Sequence, residues 1–575
     1  GAGGLAGRHG GAIDGAGGVG GKPGFGGGTG RDGDGTGGGG GSGFGGAIFV
    51  REGGSLFMSG NAVFGDNDVV GGSSNNGGVA GAAAGSDLFM MTGSTVTIAP
   101  GQGNVIVFNG SIADDSRASY EEAPRGMGDG AGLTVGAGLT VFNGVNTYTG
   151  QTRIAGGALM AVDGVGVHKN SNINFVGTGP LSELTAGVLL SNGSFNRQVG
   201  ALSNRVQWTG SGGFAAVGGD LTVNLGGTVT PQTFTWGTGG FVPTGETLVF
   251  GSVHADSAVI FRNNINLGGG ERRIAVMDNP GAEGDFAVVS GVISNGALVV
   301  GAPGYNGRLV LSGANTFAGG LTVAGGLVEI APSGSLHDAG AVTVDLGAAL
   351  ILGAPDAIGA LVNNGMTTIL ADMTVAALSN DRIMTLAGSI TTPGQFVNDG
   401  ILIVFGERAI TAAGLFGGTD AEIAVADAAA LTLNLSGDGV YEGLIVGDGA
   451  LIKAGAGALT LTAAQGFTGG TVVRAGALEM TGGGALHDEG FVTVEAGASF
   501  RAGADDRIGL LTADGVVLAD GSLTTAGLAG GGSITVAAGR TFTTEQAGDT
   551  TFAGAFGGLG GFVKQGDAAL TQTGA

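Results

Sequence analysis

The 575-residue sequence contains no cysteine, only 11 prolines and only two tryptophans. The absence of cysteine removes disulfides, thiolate nucleophiles, iron–sulfur clusters and cysteine-based zinc sites, so backbone pairing and packing must hold the fold. Few prolines and no strict Gly-X-Y period exclude collagen. Charged residues make up 12% of the chain, about half the usual share. Lys, Arg, Glu and Gln are scarce while Gly, Ala, Thr and Val dominate, which favours strands and turns over helices. No run of 18 apolar residues occurs, so no segment is expected to cross a membrane as a helix.

What is abundant is glycine, 130 residues, roughly three times the usual frequency. Hydrophobic residues reach 43%, enough to bury a core and unlike a disordered polar chain. The net charge is −24, from 46 acidic and 22 basic residues. That sign repels nucleic acid and anionic membranes, and it can attract divalent cations.

Residues 1–46 form a Gly-rich tract that reads either as a linker or as a cap of packed extended turns. From Ala47 onward the pattern is short alternating strands broken by Gly, Asn and Asp, as in Leu221–Leu225 and Leu431–Leu435. This alternation predicts one buried and one wet face. Further blocks are expected at 47–130, at 131–305 with a Trp-containing insert, at 306–456 and at 457–575. The chain begins at Gly1 without Met or signal peptide and stops mid-repeat at Ala575, so it is expected to be part of a larger protein.

Internal repetition organises the rest. The segments starting at Leu309 and Leu459 align without a gap, so Phe317 matches Phe467, His337 matches His487 and Asp356 matches Asp506, each 150 residues apart. A third, partial copy places Tyr148 at the aromatic position, and a fourth begins near Gly566. Unequal spacing between copies suits a stacked solenoid, where extra residues loop out of one rung. The structural markers of the repeat are Tyr148, Phe317 and Phe467 together with the glycine pairs Gly319-Gly320 and Gly469-Gly470, which permit positive φ at corners. Rungs of roughly 20 to 25 residues, about two dozen in all, follow for a repeat of this class. Thr and Asn at turns are expected to form ladders of like residues along the stack.

Chemistry-bearing residues are few. None of His9, His168, His254, His337 and His487 has a partner at metal-ligand spacing. Asp505-Asp506 and Asp114-Asp115 are adjacent carboxylates of the type that glycoside hydrolysis requires, within otherwise ordinary turn sequence. Gly27–Asp32 matches the start of a Ca²⁺-binding nonapeptide, making Asp32 and Asp34 the metal candidates, but no second copy follows. Trp208 and Trp236 are either sugar-stacking platforms or core aromatics, and the neighbouring Thr-Gly turns favour the core. No catalytic or cofactor-binding set emerges.

The motifs GANTFAGGLTVAGGLVEI (313–330), GVNTYTGQTRIAGGALMA (144–161) and GFTGGTVVRAGALEM (466–480) resemble the autotransporter-associated β-strand repeat of bacterial autotransporter passengers. The likeness covers most of residues 100–575 and leaves out the Gly tract. It implies an all-β, right-handed parallel β-helix (β-solenoid) exported to the cell surface, adhesive or self-assembling into fibres, and it assigns no catalytic residues; with no catalytic cluster in the sequence, a non-enzymatic role is expected. Its implied partners are copies of itself or other cell-surface components and glycans. A polysaccharide-binding or polysaccharide-cleaving β-helix is the alternative.

Overall fold

The computed structural model describes residues 39–74, 78–117, 128–179, 181–182 and 184–574. Among them every regular element is a strand, no α-helix occurs, and the strands wind into a parallel β-solenoid of about 23 turns. The Gly-rich residues up to 38, with the metal candidates Asp32 and Asp34 and with His9, lie outside the described residues. The chain divides into two compact units, residues 1–296 with 301–310, and residues 297–300 with 311–575.

In the second unit the alternation expected from the sequence is realised. Strands Leu327–Ile330, Ala349–Leu352, Met366–Ile369, Ile383–Leu386 and Ile401–Val404 stack in parallel and in register. Their even positions point inward: Val328, Leu350, Met384 and Leu402 are each 1% exposed or less. Stacking small aliphatic side chains in one column gives about 1.5–3 kcal/mol for each fully buried Leu, Ile or Val. The strand backbone pairs with the turns above and below, so no lateral edge is left open.

Rung length departs from the expected 20 to 25 residues in both directions. Asn363 bonds Asn380 17 residues on, and Asn380 bonds Asn398 18 residues on. In the first unit, Asn109 pairs with Asn143 at a separation of 34. Only the stacked strand segments of a turn are constrained by pairing, so corners absorb the difference.

The first unit also departs from the one-face-buried pattern. Strands Leu139–Phe142 and Ala158–Ala161 point Phe142 and Leu159 inward, yet their outward residues Leu139, Val141 and Ala158 are buried as well. Those outward positions continue through Val188, Leu190, Val249 and Ala275 into a second apolar cluster outside the sheet. Corner residues Ala186, Ala255, Ala302 and Tyr305 complete it. The longer rungs of this unit supply the chain that folds back over the face. The inner core is aromatic here, with Phe175, Trp208, Phe214 and Phe241 in mutual contact at centroid distances of 5.1 to 6.0 Å.

Candidate functional site

The aromatic residues of the three repeat copies lie in the core. Tyr148 is fully buried, and Phe317 and Phe467 are each 2% exposed. The Tyr148 hydroxyl lies 2.8 Å from Thr152 Oγ1, which lies 2.8 Å from Ser171 Oγ on the next turn. Burial pushes the Tyr148 phenol above its ordinary range. Both full repeats form the same corner bridges, Ala314 to Ser335 and Ala464 to Ala485.

Within each glycine pair the second residue carries the positive φ, +93° at Gly320 and +84° at Gly470. A Cβ on Gly470 would sit 2.4 Å from the Phe491 ring, and one on Gly320 would sit 2.6 Å from the Ala341 carbonyl oxygen. Gly469 is needed for approach: a Cβ there would meet the Gly449 backbone at 2.4 Å.

The carboxylates singled out in the sequence are engaged by the fold. Asp506 accepts backbone N–H bonds from Leu486 (3.1 Å) and Arg507 (2.8 Å), and Asp356 accepts the equivalent pair from Leu336 (2.7 Å) and Ala357 (2.9 Å). Burial raises both carboxyls, that of Asp506 to about 6. Asp505 is exposed, accepting from Ser522 N at 2.8 Å and from Arg540 at 3.2 Å. These two acids therefore serve different contacts and do not converge on one reaction centre.

Asp114 and Asp115 are buried and tie turns together. Asp114 accepts from Ala131 N and Thr149 N, at 3.0 and 2.6 Å, while Asp115 accepts from Thr92 N at 2.8 Å. His337 and His487 close their own loops by accepting at Nδ1 from Ala339 N and Glu489 N. Trp208 and Trp236 are each 2% exposed and donate to Gly212 O and Pro243 O, so both are core aromatics, as the flanking turns favoured. Among the described residues no group of three His, Asp or Glu could hold a metal ion, and no helix is long and apolar enough to cross a membrane.

Asn ladders along the stack were expected in general, but the sequence did not single out the residues of three interior polar devices, one of which is such a ladder. Asn363, Asn380 and Asn398 form a ladder that continues to the Tyr441 hydroxyl, with steps of 2.6, 2.7 and 3.2 Å. Its signal was the recurrence of Asn before Asn-Gly, Asp-Arg and Asp-Gly at 363, 380 and 398. Lys453 is fully buried, its Nζ donating to the carbonyls of Ala454, Gly455 and Ala475 at 2.8, 3.1 and 3.2 Å. Arg197, nearly buried, pairs with Asp163 at 2.5 Å and donates to the carbonyls of Ser171 and His168.

Comparison with known proteins finds similarity in the repeat segments. Residues 135–161, 305–330 and 451–480 match the family described as Passenger-associated-transport-repeat. These are the segments that carry Tyr148, Phe317 and Phe467. The Adhesin BmaC autotransporter of Brucella suis biovar 1 (strain 1330) is 32% identical over 216 residues, 36% of this chain. The chain spans 6% of the length of that relative. The crystal structure of the Haemophilus influenzae Hap adhesin covers 84% of this chain and 61% of its own, at 12% identity and a TM-score of 0.31. Three segments of this β-solenoid thus match the passenger-associated-transport repeat, and part of the chain is similar to an autotransporter adhesin.

Proposed function

We propose that this chain is an adhesive segment of a surface-displayed passenger, a non-enzymatic β-solenoid that presents long sheet faces to other surfaces. The observation that carries the reading is the set of three passenger-associated repeats, two of which form the same corner bridge. The similarity to a protein named as an adhesin supports it. The engagement of Asp114, Asp115, Asp505 and Asp506 in structural contacts supports a scaffold over a hydrolase. Binding by a solenoid is spread over many rungs, so no single pocket is required.

The test is display of residues 1–575 on a non-adherent bacterium through a heterologous outer-membrane anchor. Attachment to abiotic, glycan-coated and protein-coated surfaces, and cell–cell aggregation, are then measured against the anchor alone. Attachment or aggregation above that control is expected. Equal behaviour on every surface would refute the adhesive role.

A further inference from the structure

The second unit carries an apolar surface on the outside of one sheet. The register places Met366, Ile383 and Ile401 on consecutive rungs, 52%, 38% and 39% exposed. The column ends, past Glu422, at Leu444, which is 40% exposed. Two residues further along the same strands lie Ile351, Thr368, Thr385 and Ile403, all partly exposed. Leu370 and Phe405, 51% and 50% exposed, form the far side. At about 4.8 Å per rung the surface runs roughly 24 Å along the stack.

The fold does not need this composition. One repeat later, Ile383 is replaced by Ser533, and Ile351 and Leu370 by Arg501 and Asp520. There the last two form an exposed ion pair of 2.7 Å on the same backbone arrangement. Contiguous exposed apolar surface on a soluble protein marks an interaction site.

Its edges are acidic. Asp381, Asp399 and Asp420 precede these strands, and Asp372, Asp427 and, at the start of the next strand, Glu407 follow them, all exposed. Arg382 and Arg408 are the basic residues among them. Two copies laid face to face would bring these rims together on chains that each carry −24, whereas a basic partner is attracted.

We propose that this face docks a basic polypeptide surface with an apolar centre. The apolar columns pack against the partner's apolar residues while the rims pair with Lys or Arg. The inference rests on the adhesive reading for its biological role and names the face and the partner chemistry.

The test uses the full chain and two 12-residue probes, one alternating Val with Lys and one alternating Val with Glu, read by fluorescence anisotropy. The Lys peptide is expected to bind and the Glu peptide not. The double variant Ile383→Ser, Ile401→Ser is expected to lose at least tenfold in affinity with an unchanged melting curve, since Ser533 is native at the first equivalent position. Glu407→Gln with Asp427→Asn should weaken binding several-fold at low salt and little at high salt. Undiminished Lys-peptide binding by the serine variant would mean attraction to bulk charge alone, and would overturn the proposal. So would equal binding of both peptides, or a dimer in sedimentation that the serine variant abolishes. If displayed chain adheres and the serine variant adheres equally, this face fails while the adhesive reading stands. If displayed wild type does not adhere, that reading fails whatever the peptides do.

Discussion

Asn380 stands between two other asparagines inside the second unit, accepting a 2.6 Å hydrogen bond from Asn363 Nδ2 and donating one of 2.7 Å to Asn398 Oδ1. Each amide also reaches a backbone carbonyl, those of Ile383 and Ile401 for the first two. A buried ladder of this kind is favourable only while complete, because each orphaned amide costs about 1–3 kcal/mol. Asn380→Ala breaks it at the centre and leaves a void. The expected cost is about 2–4 kcal/mol, seen as faster amide hydrogen exchange across residues 363–401. Exchange unchanged there would show that the ladder contributes nothing.

Lys453 gives the interior a pH response. Burial lowers its ammonium from 10.5 to about 8. Between those values the unfolded chain holds a proton that the folded chain has released, so stability rises with pH across that window. The slope is on the order of 1 kcal/mol per pH unit at most. Lys453→Met should remove this rise between pH 8 and 10 while preserving the fold by circular dichroism. A rise of the same size in the variant would assign it to other groups.

Asp506 works in the opposite sense. Its carboxyl is raised to about 6 by burial against an ordinary value of 3.8. Between those values the folded chain holds the proton, so its stabilising contribution is full below pH 4 and is lost as pH rises through 6. Asp506→Asn, which keeps an acceptor for Leu486 N–H, should reduce the loss of stability between pH 4 and 7 by about 1 kcal/mol after allowance for solvent screening. Thermal melts at the two pH values measure it, and an unchanged difference would reject it.

Gly470 is held at φ +84° with the Phe491 ring over its α-carbon. Gly470→Ala should cost about 1–2 kcal/mol for the left-handed backbone alone, with more for displacement of the ring. Gly483→Ala, where the nearest atom to an added Cβ is 3.8 Å away, is the control and should change stability by less than about 0.5 kcal/mol. Equal melting temperatures for the two variants would contradict the assignment.

The stack and its glycine corners were legible because they depend on local chemistry. Apolar–polar alternation sends Val328 and Ile330 inward, and glycine tolerates the corner at Gly470. The 150-residue offset between Phe317 and Phe467 shows that one local solution is used twice. The carboxylates were harder: adjacency in sequence suggested shared chemistry at Asp505 and Asp506, while the corner turns one toward backbone N–H groups and leaves the other facing Arg540.

Sequence by itself therefore determined an all-β solenoid, since strands with a period of two broken by glycine turns follow from residue-to-neighbour sterics. Tertiary structure alone decided which polar side chains lie inside. Asn363, Asn380 and Asn398 become partners only when rungs of 17 and 18 residues stack them, and Lys453 finds a carbonyl of the following turn only at Ala475. It also decided which outward columns are roofed, as at Val188, and which stay open, as at Met366. Covering a sheet face depends on where loops from other turns fall, and no local pattern encodes that.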